Sequence, residues 1–251
     1  MLDLNDSKTP AERAVVLQST APGTTSAAPG RYWDQSRGRS GVELPARATA
    51  YYAAKRAMDL AGTLVLAAVF APLMLVIVLL LRKDGGPVIY RHWRIGRDGR
   101  PFQCLKFRSM VPNADDILRE LLTRDDRLKG EWARHHKLRC DPRVTALGRF
   151  LRRTSLDELP QLWNVIRGEM SLVGPRPVVR QELLRYGRNT RAYLSARPGV
   201  TGLWQVQGRN DTDYRRRVVL DTYYVKRRSL LLDLYILLKT VRVVLGGRGA
   251  Y

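Results

Sequence analysis

The sequence predicts an α+β fold, mostly helical, with one re-entrant membrane helix, a small β-hairpin region and amphipathic interface helices. Three observations carry that prediction. An apolar run from Leu60 to Leu81 contains no charged residue and has Pro72 in its middle. The stretch from Val88 to Phe107 joins two extended segments through Gly-Arg-Asp-Gly turn chemistry. Beyond it, apolar residues recur at helical spacing in several segments, the last from Leu230 to Leu245.

At 251 residues the chain can hold one core-bearing domain of ordinary size plus extensions. Its formal charge is +21, from 44 basic and 23 acidic residues, which requires an anionic partner. Residues 1–50 carry six Lys/Arg and five Asp/Glu, so the excess belongs to the rest. Nucleic acid, an anionic membrane surface and a phosphorylated substrate all fit that excess. Cys104 and Cys140 follow no metal spacing and read as reduced, intracellular thiols. The neighbours His135 and His136 lack zinc-site spacing. Residues 1–48 are rich in Ala, Pro, Gly, Ser and Thr and read as a disordered tail. The tail opens on acidic residues with no apolar core, unlike a secretory signal.

Residues 51–83 form the membrane element. Twenty-two apolar residues reach about 33 Å as a helix, enough to cross a bilayer core. Pro72 removes a backbone hydrogen bond and bends the helix. Lys55 and Arg56 precede the run, and Arg82 and Lys83 follow it. Cations flanking membrane segments favour the cytoplasmic side, so a helix that dips in and returns satisfies both flanks. Residues 84–251 form the remaining domain. Gly85-Gly86-Pro87 makes a turn, Val88–Tyr90 and Phe102–Phe107 pair as a hairpin, and Lys106 and Arg108 point two cations to one face. Asn113 to Lys129 reads as one amphipathic helix. Asp141-Pro142-Arg143-Val144-Thr145 then leads through Phe150 and Leu151 into the most informative stretch of the chain.

That stretch is Arg152-Arg153-Thr154-Ser155-Leu156-Asp157-Glu158-Leu159-Pro160. Pro160 is comfortable only in a first helical turn, which places a helix start near Asp157 and both carboxylates at the positive end of its dipole. Asp157 could be only an N-cap. Its surroundings argue for more: Gly174-Pro175-Arg176-Pro177 adds a guanidinium on a rigid turn, and carboxylates gathered with guanidiniums suit phosphoryl chemistry. Further on, Val178 to Tyr186 reads as helix, Arg197–Gly202 as a tight loop and Leu203–Val206 as a short strand or extended piece. Gly208-Arg209-Asn210 is another turn bearing an arginine. Asp233, Lys239 and Arg242 fall on roughly one side of the final helix, which suits a helix in the membrane interface and almost equally a core helix.

From about Tyr51 to Tyr251 the chain resembles the bacterial sugar transferases, the monotopic phosphoglycosyl transferases. The resemblance rests on Lys55-Arg56 with Asp59, Lys106-Phe107-Arg108-Ser109-Met110, Asp141–Thr145, Ser155–Leu162, Ser171–Pro177, Arg197–Gly202 and Gln205–Asn210. It looks most like the short exopolysaccharide members, galactose-1-phosphate transferases among them. Ala71-Pro72 stands where that family often has Ser-Pro: the bend is kept, the hydroxyl is not. The resemblance implies a re-entrant helix in the bacterial inner membrane and a catalytic domain, residues 84–251, facing the cytoplasm. It implies a Mg²⁺-dependent transfer of sugar-1-phosphate from a UDP-sugar to polyprenyl phosphate. Asp157 becomes the nucleophile and a Mg²⁺ ligand, with Glu158 its catalytic neighbour. Arg152, Arg176 and Arg209 become phosphate or nucleotide contacts, and Lys106 and Asp233 lie near them. The expected partners are the UDP-sugar, the polyprenyl phosphate and anionic membrane lipid; a homodimer is compatible, and nucleic acid is not expected. A basic membrane-tethered binder or a scaffold would leave the Asp-Glu pair without a role.

Overall fold

A computed structural model describes residues 46–135, 138, 140–208 and 212–246. Residues 1–45, His136, Arg209 and the last five residues lie outside it, and with them most of the expected tail. Helix α1 (Ala46–Arg82) is 37 residues long, about 55 Å. It begins ahead of the expected boundary, taking Ala46–Ala48 from the tail, and runs as one helix through Pro72.

The hairpin forms as expected: β1 (Ile89–Ile95) pairs antiparallel with β2 (Pro101–Phe107), Tyr90 opposite Lys106. The single helix expected over Asn113–Lys129 is instead two, α2 (Ala114–Arg124) and α3 (Asp126–His135). Asp125 breaks it, because its carboxylate accepts from the Arg127 and Leu128 N–H groups and so caps a new helix. Helix α4 (Ala146–Thr154) starts where the Thr145 hydroxyl accepts from the Gly148 N–H. The helix expected to start near Asp157 starts later. Leu156–Glu158 is a 3₁₀ turn, and α5 (Gln161–Ile166) follows Pro160.

Strand β3 (Ser171–Val173) pairs in parallel with β4 (Gly199–Thr201), so the expected Arg197–Gly202 loop contains a strand. Glycine makes the pairing feasible: a Cβ on Gly174 would sit 2.4 Å from the Arg197 carbonyl oxygen, and one on Gly199 2.1 Å from the Gly174 nitrogen. Between them, α6 (Arg180–Leu184) is shorter than expected, since Val178 is extended against Ile95. Helix α7 (Thr190–Leu194) precedes β4. The segment read as extended, Leu203–Val206, is the one-turn helix α8 (Leu203–Gln207), closed by Val206 N–H donating to the Gly202 carbonyl. Helices α9 (Tyr214–Arg227) and α10 (Leu230–Leu245) complete the described chain.

The main core gathers Val165, Met170, Leu172, Leu203, Tyr224 and Ile236, with Leu66 and Ala67 of α1 against it. A second cluster joins Ile77 and Leu81 of α1 to Phe107 and Leu151, with Leu73 and Met74 alongside. Helix α1 thus packs on the domain through its middle and its C-terminal end. Its other face is apolar and open: Leu64, Val65, Val69, Leu75, Val76 and Leu79 are each more than half exposed. Helix α10 likewise exposes Leu231, Leu234, Leu238 and Val241. This corrects the wheel reading of α10. Asp233 is buried and turns inward, while the outward face is hydrocarbon. Contiguous apolar surface of this kind needs a non-aqueous neighbour.

Candidate active site

The ends of three short elements hold the carboxylate pair. Ser155 ends α4 in the left-handed region (φ 58°) and turns the chain into the 3₁₀ segment that carries Asp157 and Glu158. Neither turn is capped by an aspartate: Pro160 precedes α5 and no side chain caps it. Asp157 is nevertheless buried, its side chain 10% exposed. Burial raises its carboxyl above the ordinary carboxylate range, and the Glu158 charge pushes the same way against Lys106 and Arg152.

Lys106 donates to Glu158 Oε1 at 2.7 Å and lies 3.6 Å from Asp157 Oδ2. Asn164 fixes this register. Its amide accepts from the Leu105 N–H (3.0 Å) and donates to the Gln103 carbonyl (2.8 Å), tying α5 to the strand that carries Lys106. The alternation predicts Lys106 and Arg108 on one face, but the two cations are engaged apart. Arg108 reaches back to the Leu81 carbonyl and to Asp84 at the end of α1. Arg152 donates through Nε to Ser109 Oγ at 2.8 Å. Gly148 lets α4 approach that closely, because a Cβ there would meet the Ser109 carbonyl oxygen at 1.9 Å. The Asp141–Thr145 motif is a clamp: Arg143 grips Asp141 through two bonds, and Val111 N–H donates to the Arg143 carbonyl.

Beside Glu158 opens a small cleft, lined among others by Arg94, Cys104, Lys106, Gln161, Arg176 and Gln205. Arg176 lies over the Trp204 ring at 5.8 Å, and Arg217 lies over the same ring at 4.5 Å. Arg94 donates to His92 Nδ1 at 3.1 Å and pairs with Glu182 at 3.5 Å. His92 is neutral, its pKa pushed down to about 4 by burial and by Arg94. Behind the Arg176 turn, Asp221 is sealed and accepts from the Tyr186 hydroxyl at 2.7 Å.

The structure therefore brings Glu158, Lys106 and Arg176 to one cleft, with Asp157 buried beside Lys106 and the Arg152 charge close to it. Arg209 lies outside the described residues. Asp233 is elsewhere: it pairs with Lys55 at 3.2 Å and accepts from the Tyr224 hydroxyl at 2.7 Å, inside the protein. Arg94, Gln161, Asn164 and Gln205 were not singled out by sequence. Asn164 alone left a trace there, as a polar residue inside the apolar pattern of α5.

Among the described residues, no three His, Cys, Asp or Glu side chains converge as a metal cage. Two adjacent carboxylates beside a cleft lined by Lys106, Arg94 and Arg176 do fit Mg²⁺, which commonly takes one or two carboxylates and completes its shell with water and substrate phosphates.

The long apolar helix and its exposed face suit a membrane-associated protein. Residues 50–247 match the bacterial sugar transferase family, and the chain belongs to it. It is 54% identical over 197 residues to the UDP-galactose-lipid carrier transferase of Erwinia amylovora, covering 78% of this chain and 41% of that protein. It is 53% identical over the same length to the undecaprenyl-phosphate galactose phosphotransferase of Salmonella typhimurium, with 78% and 41% covered. With the exopolysaccharide production protein ExoY of Rhizobium meliloti, identity is 50% over 199 residues, covering 79% of this chain and 88% of ExoY. The chain thus spans about two fifths of the first two relatives and most of the third.

Proposed function

We propose that this chain transfers sugar-1-phosphate from a UDP-sugar to undecaprenyl phosphate, yielding UMP and a polyprenyl-diphosphate sugar, in the first step of an exopolysaccharide, capsule or O-antigen. The observation that carries this reading is Asp157, a buried carboxylate that caps no helix and faces Lys106 beside an arginine-lined cleft.

Both substrates are phosphate anions, so direct attack of one on the other meets charge repulsion. A protein nucleophile divides the transfer into two displacements, each with one anionic partner. An Asp157 oxygen attacks the phosphorus that bears the sugar, the bond to the UMP oxygen breaks, and UMP leaves. An oxygen of the lipid phosphate then attacks the same phosphorus and the bond to Asp157 breaks. Lys106 holds the carboxylates in place, and Arg94 and Arg176 offset charge on the phosphoryl oxygens. Asp157, with Glu158, would hold Mg²⁺, whose chemistry here is charge neutralisation on the phosphates.

Helix α1 supports a re-entrant, cytoplasm-facing arrangement in the inner membrane. Its N-terminal half is fastened by Lys55, Arg56 and Asp59 to Asp233, Val165 and Ser171, and its C-terminal half packs through Leu73 to Leu81, on the same domain. A straight crossing would carry one end away from that domain. Anionic lipid is a further partner of the basic surface, and homodimers are compatible with it.

The test is UMP release by the full chain in detergent with Mg²⁺, undecaprenyl phosphate and a panel of UDP-sugars, beside Asp157→Asn. Release with one donor, lost roughly 1,000-fold or more in the variant, is expected on the order typical of nucleophile removal. Undiminished release in the variant would exclude Asp157 as nucleophile.

A further inference from the structure

Away from the cleft, two arginines from separate segments meet on one tyrosine, with two more arginines close by. Tyr52 lies about two turns before the apolar run of α1. Arg228, at the junction of α9 and α10, donates to its hydroxyl and lies over its ring at 5.0 Å. Arg97, on the tip of the β-hairpin, lies over the same ring at 5.4 Å. The tip is rigid: Gly96 N–H donates to the Arg100 carbonyl at 2.8 Å, and Asp98 is left-handed at φ 58°. Arg56 of α1 donates to the carbonyls of Val165 and Ile166, and Arg197 to that of Gly168.

Apart from Asp98 beside Arg97, the partners these guanidiniums meet are carbonyls, a phenol and a ring. The Arg97 Nε–H is buried without a hydrogen-bond acceptor among the described residues. The carboxylate paired with it, Asp98, stands at 3.6 Å and is mostly exposed. Burial and the nearby Arg97 and Arg56 charges pull the Arg197 guanidinium below its usual range, with Asp59 and Asp98 opposing. Positive charge is thus concentrated here and offset only in part, by Asp59 and Asp98.

We infer that this cluster is a binding site for the phosphate of an anionic phospholipid headgroup. The inference rests on reading α1 as a membrane helix. Tyrosine and arginine flanking an apolar helix sit at headgroup depth, and basic groups between membrane elements take lipid phosphates. A phosphodiester offers two charged oxygens to the planar forks of Arg97 and Arg228. The site shares no residue with the cleft beside Glu158, so the nucleotide donor does not compete for it.

The test uses the purified full chain in maltoside micelles and follows the thermal unfolding midpoint against short-chain phosphatidylglycerol, short-chain phosphatidylcholine and inorganic phosphate. Phosphatidylglycerol is expected to raise the midpoint saturably, while the other two leave it unchanged. Arg97→Gln with Arg228→Gln should weaken the apparent phosphatidylglycerol affinity at least tenfold. Arg119→Gln with Arg124→Gln, an equal charge change on the exposed face of α2, should not. Without lipid, the Arg97/Arg228 variant should unfold at or above the wild-type temperature, because repulsion is relieved. Equal loss of response in both double variants would reduce the effect to net charge, and an equal response to inorganic phosphate would exclude a lipid site. A lower lipid-free midpoint in the Arg97/Arg228 variant would make these arginines packing residues. Release of the wild-type chain from membranes by carbonate washing would remove the membrane reading itself, an outcome separable from all the others.

Discussion

Two lysines in this chain each face two carboxylates, and their surroundings set them to different work. Lys55 meets Asp59 at 2.9 Å and Asp233 at 3.2 Å in a sealed site. There Ser171 Oγ and Leu172 N–H donate to Asp59, and the Tyr224 hydroxyl donates to Asp233. Lys106 meets Glu158 at 2.7 Å and Asp157 at 3.6 Å on the wall of a cleft. In the first group Asp59 accepts from three donors and Asp233 from the Tyr224 hydroxyl, and the charges fasten α1 to β3 and α10. In the second, Asp157 is buried with Lys106 at the longer distance of 3.6 Å, as the proposed nucleophile requires. One lysine between two carboxylates thus serves as a rivet or, on the proposed mechanism, as a reagent, depending on how many hydrogen bonds the carboxylates already accept.

Exchanging losses between the two sites breaks or confirms this contrast. Asp157→Asn is expected to abolish UMP release while leaving the unfolding midpoint unchanged or raised, since a buried charge disappears. Lys55→Met should do the converse. It strands two buried carboxylates and should cost about 3–5 kcal/mol of stability by denaturant titration, with the folded fraction retaining turnover per molecule. If Lys55→Met instead left stability intact and removed turnover, the two sites would not differ as described.

Lys106→Met comes next in size. A loss of about 100-fold in turnover is expected, on the scale of removing one electrostatic partner. Because Lys106 opposes the upward push of burial on Asp157, the acidic limb of the rate profile should also move to higher pH. A profile that stays in place would show that Lys106 does not act through Asp157.

A third carboxylate sharpens the comparison, since Asp221 is sealed but has no lysine. Burial pushes it up to about 7, with the Tyr186 hydroxyl opposing. The folded state therefore holds this proton more tightly than the unfolded chain, where Asp titrates near about 3.9. Its contribution to stability is full below about pH 4 and is lost as pH rises to about 7. Stability measured across that window should fall in the wild type and flatten in Asp221→Asn. The smallest effect is expected at Ser155. Glycine there removes the left-handed penalty and should stabilise by about 1 kcal/mol, offset by its greater freedom when unfolded, with turnover unchanged.

Local pattern made part of this molecule legible. The hairpin over Ile89–Phe107 and the final helix Leu230–Leu245 follow from turn residues and apolar periodicity within their own spans. The carboxylate pair stood out because two adjacent acids, Asp157 and Glu158, closely follow two adjacent arginines, Arg152 and Arg153. The parallel pairing of β3 and β4 did not, because each strand has three residues and its glycines read as loop. Helix α8 is one turn between Gly202 and Gly208, too short to show a period. Asp233 misled for a different reason: its partner, Lys55, lies at the far end of the chain. Arg94 and Gln205 reach the cleft only through tertiary packing, which leaves no mark on their neighbours in sequence.

The bond from Arg56 to the Val165 and Ile166 carbonyls has a practical consequence. It ties the long apolar helix to the last turn of α5, the short helix whose approach carries Asp157 and Glu158. An anchor that only tethers can be exchanged for any other greasy segment or trimmed away for convenience. This one cannot be treated as modular, because Arg56 bonds the segment that follows that pair. Shortened versions made for solubility should be judged by whether they keep residues 50–82, and chimaeras by whether the donor helix carries Lys55, Arg56 and Asp59 in register.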